Sequence, residues 1–256
     1  MGSRTMDHGP LERETMRSDG RQANGLRKVN ITTDYIKYPE GSCLFEIGGT
    51  KVICTASVEE SVPVFLKGKG TGWITSEYAM LPRSCKSRVS RESSIGRKGG
   101  RTHEIQRLVG RALRGIVDLK ALGERTVWID CDVIQADGGT RCASITGSFV
   151  ALCLAMRKLK ERDIFTEIPV KKFIAAVSVG VVGGKGLLDL NYEEDSAAEV
   201  DMNVVMTDSG EYIELQGTAE KQPFSRDDME RMLGLAHKGI KSLIKEQKEA
   251  LKGVFS

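Results

Sequence analysis

Histidine is scarce in this chain of 256 residues. The three present, His8, His103 and His237, lie far apart, so nucleophilic catalysis built on an imidazole base has few candidates. Six cysteines (Cys43, Cys54, Cys85, Cys131, Cys142 and Cys153) are scattered without CxxC spacing, mostly inside apolar runs. That pattern argues against a zinc site or a disulfide framework, and predicts reduced, mainly buried thiols in a cytoplasmic protein. Long apolar runs are missing too. Stretches such as Phe173–Val182 fall far short of the roughly 20 residues of a membrane-spanning helix, and residues 1–15 lack the apolar core of a secretory signal. The expectation is a soluble globular protein without a membrane partner, with residues 1–15 as a disordered extension and residues 16–256 as one domain. Net charge is only +3, too small for a whole-molecule argument about a polyanionic partner.

What the chain does have is local. Residues 127–160 read as an alternating strand, VWIDCDVI, a glycine-bearing turn, QADGGTR, and a helix-like segment that begins at once. That order gathers backbone N–H groups, the positive end of a helix dipole and the Arg141 guanidinium around one small concavity, which is what holding a phosphate requires. Gly138-Gly139 permits close backbone approach, and Thr140 or Ser144 offers a hydroxyl as donor or as helix cap. Arg101 follows Gly99-Gly100 and precedes a second helix, so it repeats the logic of Arg141; a guanidinium fork matches two phosphate oxygens.

Charge is concentrated between Leu81 and Arg101. Seven basic residues there oppose the single acid Glu92, a net of +6 in a Ser/Gly-rich segment with little apolar periodicity. One-signed excess of this kind points to a mobile loop that contacts nucleic acid; a solvated surface is the alternative. The acidic counterpart is LLDLNYEEDSAAEVDMN, in which Asp189 and Asp195 stand beside Glu193, Glu194, Glu199 and Asp201. Read as a strand, this run turns Asp189 away from the side bearing Leu188 and Leu190. The gathered carboxylates repel one another unless a hard cation such as Mg²⁺ intervenes, the alternative being a solvated acidic turn. Asp130 and Asp132 fit the polar side of a strand, and Trp73 and Tyr78 fit packing or base stacking.

The remaining patterns predict a hairpin at Gly48-Gly49, a helix whose apolar stripe runs from Ile105 to Ile116 opposite Arg107, Arg111 and Arg114, strands from 173 to 219, and a final helix opened by a Ser225/Asp228 capping box. The fold class is α+β, mixed sheets with helices packed on them.

Several long runs, RSDGR, PEGSCLFEIGGTKVICTASVEE, GTGWITSEYAMLPR, GRTHEIQRLVGRALRG, GERTVWIDCDVIQADGGTRCASITG and LLDLNYEEDSAAEVDMNVVMT, together resemble the bacterial ribonuclease PH family from Met16 to about Lys252. The resemblance implies the ribonuclease PH fold, related to the second domain of ribosomal protein S5, and a phosphorolytic 3′-to-5′ exoribonuclease that trims tRNA precursors. By motif it implies a phosphate site at Arg101, Gly139, Thr140 and Arg141, catalytic and Mg²⁺-associated aspartates at Asp189 and Asp195, and RNA contact at Arg83, Arg88 and Arg91. It further implies inorganic phosphate as co-substrate and a homo-oligomer, a hexamer built as a trimer of dimers. Cys142 stands where the family shows threonine, and Ser84-Cys85-Lys86 varies in the basic loop. A silent RNA-binding ring subunit, or a nucleoside phosphorylase, remains the rival reading; the latter leaves the +6 loop without a role.

Overall fold

The glycine pair at 48–49 does what its spacing predicts: Gly48 takes φ +54 and joins β2 (Gly41–Ile47) to β3 (Thr50–Glu59) as an antiparallel hairpin in the computed structural model, which describes residues 17–255. The expectation for residues 1–15 lies outside the described residues. The hairpin extends to β1 (Val29–Thr33) on one side and to β5 (Thr126–Gln135) on the other. β4 (Trp73–Met80) adds parallel to β5, giving a five-stranded sheet in the order β1-β2-β3-β5-β4. Alternation decides which face is inward: Val127, Ile129, Cys131 and Val133 of β5 are buried, whereas Trp128 and Asp132 between them are exposed.

β6 (Ile174–Val182), β7 (Lys185–Leu188), β8 (Val200–Thr207) and β9 (Tyr212–Ala219) form a second, antiparallel sheet in the order β7-β6-β8-β9. Between the sheets runs α4 (Thr140–Glu161), packed on β2, β3 and β5 of one and on β6 and β8 of the other. Apolar on every side, α4 is long enough to cross a bilayer by length and composition, but 89% of its most apolar window is buried in the protein. It is the core helix of a layered fold. Thr146 is satisfied inside: its Oγ1 accepts from Ala176 N at 3.1 Å, and Gln247 Nε2 donates to Thr146 O at 3.0 Å and Ile174 O at 2.9 Å. Gln247 belongs to α6 (Arg226–Ala250), which opens on the expected Ser225/Asp228 capping box and packs on β6 and β7. α2 (Gly100–Arg114) buries Ile105, Leu108, Val109, Ala112 and Leu113 against β4 and α4. The basic segment after β4 holds one helical turn, α1 (Glu92–Ile95), and α3 (Leu119–Leu122) precedes β5.

The acidic run departs from its strand reading. β7 stops at Leu188; Asp189 takes φ +55, and α5 (Tyr192–Ala197) follows, opened by an Asn191/Glu194 capping box. Asp189 therefore does not alternate with Leu188 and Leu190 on an extended strand. The local chemistry wins over the apolar period, because Asn191 with Glu194 three residues later is a helix start.

Candidate active site

The glycine turn before α4, expected to seat a phosphate, is built as its sequence dictates. Gly138 (φ +77) and Gly139 (φ +67) carry the chain from β5 into α4 in left-handed conformations that other residues avoid. A Cβ on Gly138 would lie 2.5 Å from Leu190 O, so the turn presses directly on the segment that leads to α5. Gly139 is the N-cap of α4, and no side chain caps that first turn; its first helical bond runs from Ala143 N to Gly139 O. The first amides thus point outward with the positive end of a 22-residue helix behind them. Thr140 Oγ1 accepts from the buried Tyr78 hydroxyl at 3.0 Å, which fixes its rotamer, and Ser144 instead donates back to Thr140 O.

Arg141 is the guanidinium of this pocket. Its side chain is mostly buried, its Nη2 donates to Glu104 Oε2 at 3.0 Å, and its Nε is buried without a protein acceptor. Glu104 is held in turn by Gln216 Nε2 at 3.0 Å, so α2, α4 and β9 together set the Arg141 fork. Arg101, second residue of α2, is exposed and forms no ion pair among the described residues; no side chain caps α2 either. Both arginines act on the same carboxyls. Burial raises the pKa values of Asp195, Asp201 and the Tyr78 hydroxyl, and both guanidiniums oppose that rise at each of the three.

Asp195, on α5, and Asp201, near the start of β8, make the acidic half. Burial raises the Asp195 carboxyl above its ordinary value against the pull of Arg101, Arg141 and Arg27. Asp201 is pushed to about 6, first by burial and then by the Asp195 charge, with Arg141 opposing. Its Oδ1 is buried without a hydrogen-bond partner. Among the described residues no group of three or more His, Cys, Asp or Glu is arranged to hold a metal ion. Two mutually repelling carboxylates, one with an unsatisfied oxygen, nevertheless fit Mg²⁺, which takes few protein ligands and completes its shell with water and substrate phosphate.

Asp189 lies beside the same turn, lining a small cavity with Gly139, Cys142 and Ser178, but its carboxylate is engaged differently. It is 2% exposed, and its oxygens are spent: Arg27 Nη2 donates to Oδ1 at 2.7 Å, while Oδ2 accepts from Arg27 Nε at 3.0 Å, Arg27 N at 2.8 Å and Arg21 Nη1 at 3.3 Å. The Asp189 carboxylate is thus engaged by two guanidiniums and a backbone amide, whereas Asp201 Oδ1 has no hydrogen-bond partner. The sequence reading passed over Asp201 although a signal existed, since it is the one acid in a strand otherwise buried on both faces. Arg27 and Glu104 carried no comparable signal, because both depend on tertiary contact.

The loop arginines Arg83, Arg88 and Arg91 are exposed and do not touch the carboxylates. Arg83 Nη1 donates to Lys86 O at 2.9 Å, and Lys86 Nζ reaches Glu193 on α5 at 3.4 Å. A cavity of about 620 Å³, lined by Arg91, Arg97, Lys98, Val89, Met80 and Tyr78, leads from this loop to Arg101. Cys142 donates to Asn203 Oδ1 at 3.2 Å, and burial pushes its thiol far up, so it packs beside the pocket as a neutral group. Trp73 lies under Arg114, 4.3 Å from ring centroid to guanidinium carbon, and Phe65 meets its edge.

Two family descriptions match this chain: 3′ exoribonuclease family, domain 1, over residues 25–158, and 3′ exoribonuclease family, domain 2, over residues 172–239. The chain is 59% identical over 242 residues to proteins named ribonuclease PH from Bacillus cereus (strain G9842) and Bacillus cytotoxicus, covering 94% of this chain and 99% of each relative. Among solved structures it resembles rice (Oryza sativa) Rrp46, TM-score 0.75 and 18% identity over 92% of this chain and 100% of the other. It also resembles an Archaeoglobus fulgidus exosome structure with RNA bound to the active site, TM-score 0.76 and 22% identity over 91% and 93%. These two likenesses speak for the fold alone.

Proposed function

The chain belongs to the 3′ exoribonuclease family of ribonuclease PH, and on that premise we propose that Arg101, Arg141 and the first turn of α4 seat an inorganic phosphate beside Asp195 and Asp201. The protein is a phosphorolytic 3′-to-5′ exoribonuclease with phosphate as co-substrate. The seated phosphate attacks the phosphorus of the last phosphodiester; the bond to the penultimate 3′ oxygen breaks, and a nucleoside diphosphate leaves. Proximity and charge stabilisation carry such a displacement without a covalent protein nucleophile, which is why the shortage of histidine is no obstacle.

One observation supports this reading most: Arg141 stands in the first turn of an α4 whose N-terminus no side chain caps, its Nε buried without an acceptor, and both it and Arg101 act electrostatically on the carboxyls of Asp195 and Asp201. Arg101 and Arg141 neutralise the incoming anion and orient it. Gly139 lets the turn approach it, and Thr140, held by Tyr78, contributes to the rim. Asp195 and Asp201 are the residues that would hold Mg²⁺, which when bound stabilises charge on the transferring phosphoryl group. The Asp189 of the sequence reading is assigned a different part, taken up below.

Arg83, Arg88 and Arg91 engage the body of the RNA, for which the tRNA precursor is the proposed natural substrate; the ring is proposed to be a hexamer, and the compartment the cytoplasm, where six free thiols stay reduced. The test uses end-labelled RNA with Mg²⁺, with and without inorganic phosphate. Release of nucleoside diphosphates only when phosphate is present is expected. RNA binding without release under both conditions marks a silent ring subunit and overturns the proposal.

A further inference from the structure

Two buried arginines, Arg17 and Arg27, and the half-buried Arg21 beside them have no part in the chemistry just described. Arg17 is 8% exposed and lays its fork on Glu194, with Nε 2.6 Å from Oε1 and Nη2 on Oε2, while Nη1 donates to Leu188 O at 2.7 Å and Nη2 to Asp189 O at 2.9 Å. Arg21 adds a donor to Asp189 O at 3.0 Å. Arg27, 6% exposed, embraces the Asp189 carboxylate from one side and donates from the other to the carbonyl of Asp137 and, at 3.4 Å, to that of Gly138. One guanidinium therefore touches both halves of the site: the turn that offers amides to the phosphate, and the segment that leads into the helix bearing Asp195.

The surrounding contacts show why such a tie is needed. The left-handed step at Asp189 is costly for a residue with a side chain, and it persists because Asp189 N donates to Ser178 O at 2.7 Å and Leu190 N to Ser178 Oγ at 3.2 Å. A Cβ at Gly139 would come within 3.4 Å of Arg27 Nη2, so the phosphate turn rests against this guanidinium. Tyr192 N reaches Asp137 Oδ1 at 3.4 Å across the same seam. Hydrogen bonds to charged partners in a buried setting are short and directional, so together they fix the spacing of two loops that belong to different sheets.

We infer that the Arg27–Asp189 pair, seconded by Arg17–Glu194, positions the phosphate turn against the Asp195-bearing helix, and that its task is to hold phosphate and the carboxyl pair in register. It is a positioning device: neither residue contacts the reacting atoms. The inference rests on the phosphate-site reading above, and it places a function on the RSDGR segment and on Asp189 that neither phosphate binding nor RNA contact accounts for.

Removing one partner alone leaves a buried charge unmatched and threatens folding. The decisive comparison is therefore Asp189→Asn beside the double variant Arg27→Met/Asp189→Leu, which replaces the pair by apolar groups of similar size and deletes the bond to the phosphate turn. Melting temperature, RNA affinity without phosphate, and the dependence of turnover on phosphate concentration are measured for each. Expected is a double variant that melts near the parent and binds RNA as well, yet loses about a hundredfold in kcat/KM for phosphate, the scale of a misplacement near 1 Å. A double variant with parental phosphate kinetics overturns the inference, as does one whose loss is confined to RNA affinity. Arg141→Ala serves as the control for the site itself. If that change leaves phosphate use intact, the site reading fails; if it impairs phosphate use while the double variant does not, only the brace fails.

Discussion

At the scale of the residue, the proposed active site is a contest between like charges settled by their neighbours. Asp201 illustrates it: burial and the Asp195 charge raise its carboxyl to about 6, and Arg141 and Arg101 only partly offset them. An acid raised in the folded state is stabilising when protonated, so its contribution is fully present below its ordinary value near 3.8 and is lost as pH rises through 6. The metal-free protein should then lose stability across this window. Asp201→Asn should recover about 1–2 kcal/mol of it at pH 8, discounted for the part of the carboxyl that water reaches, as read by denaturant unfolding at pH 4.5 and 8. The same substitution should cost a hundredfold or more in turnover, because the second carboxyl no longer carries charge. Equal stability gain at both pH values would show that Asp201 titrates normally. Turnover in the parent should fall on the acid side with a midpoint near 6, and saturating Mg²⁺ should move that midpoint down, since a bound cation favours the ionised form. Arg141→Ala acts on the other half. Its expected signature is a tenfold or greater rise in the phosphate concentration for half-maximal rate, with RNA affinity changed by less than about twofold. An equal fall in both would move Arg141 out of the phosphate site.

At the scale of the element, legibility followed the range of the forces involved. The β2–β3 hairpin, the stripe of α2, the capping box of α6 and the turn between β5 and α4 are all written in residues close in sequence, and each forms where its pattern indicates. The acidic run misled because an apolar alternation and a capping box overlap there: Leu187, Leu188 and Leu190 read as strand, while Asn191 with Glu194 starts a helix and leaves Asp189 in the bend between. Nothing local marks Arg27 as the partner of Asp189, 162 positions away, so the ion pair that holds Asp189 became visible only in the folded chain. The basic segment after β4 is a case of the reverse kind, in which composition alone sets the expectation. Arg83, Arg88 and Arg91 are exposed, and Arg88 is unpaired among the described residues, so each is free to neutralise a phosphate. Replacing all three by alanine should flatten the slope of log affinity for single-stranded RNA against log salt by about 2, near 0.7 per lost contact. Affinity measured between low and moderate salt checks this, and an unchanged slope would mean that the loop stays clear of the RNA.

At the scale of the whole molecule, a chain with net charge +3 has no general attraction for RNA, so the placement of its charge has to do the work. Arg91, Arg97, Lys98 and Arg101 of the +6 segment line one cavity, and Arg101 also acts on the carboxyls of Asp195 and Asp201. A monomer presents that basic surface to solvent from one side only, and a trimmed RNA end would leave after each turnover. A closed ring of identical chains would present several such loops around a common axis, so that a bound RNA meets many cations at once and effective concentration holds the end near a site. The proposed hexamer therefore predicts a linked pair of observations. In solution the mass should be six times the 28.1 kDa of the chain, and conditions or substitutions that reduce it to a dimer should weaken the binding of a structured RNA far more than that of a short oligonucleotide, while phosphorolysis of the oligonucleotide continues. Light scattering beside the two affinities makes the comparison. If the dimer binds the structured RNA as tightly as the ring does, the loops act singly, and the reason for assembly lies in something other than RNA capture.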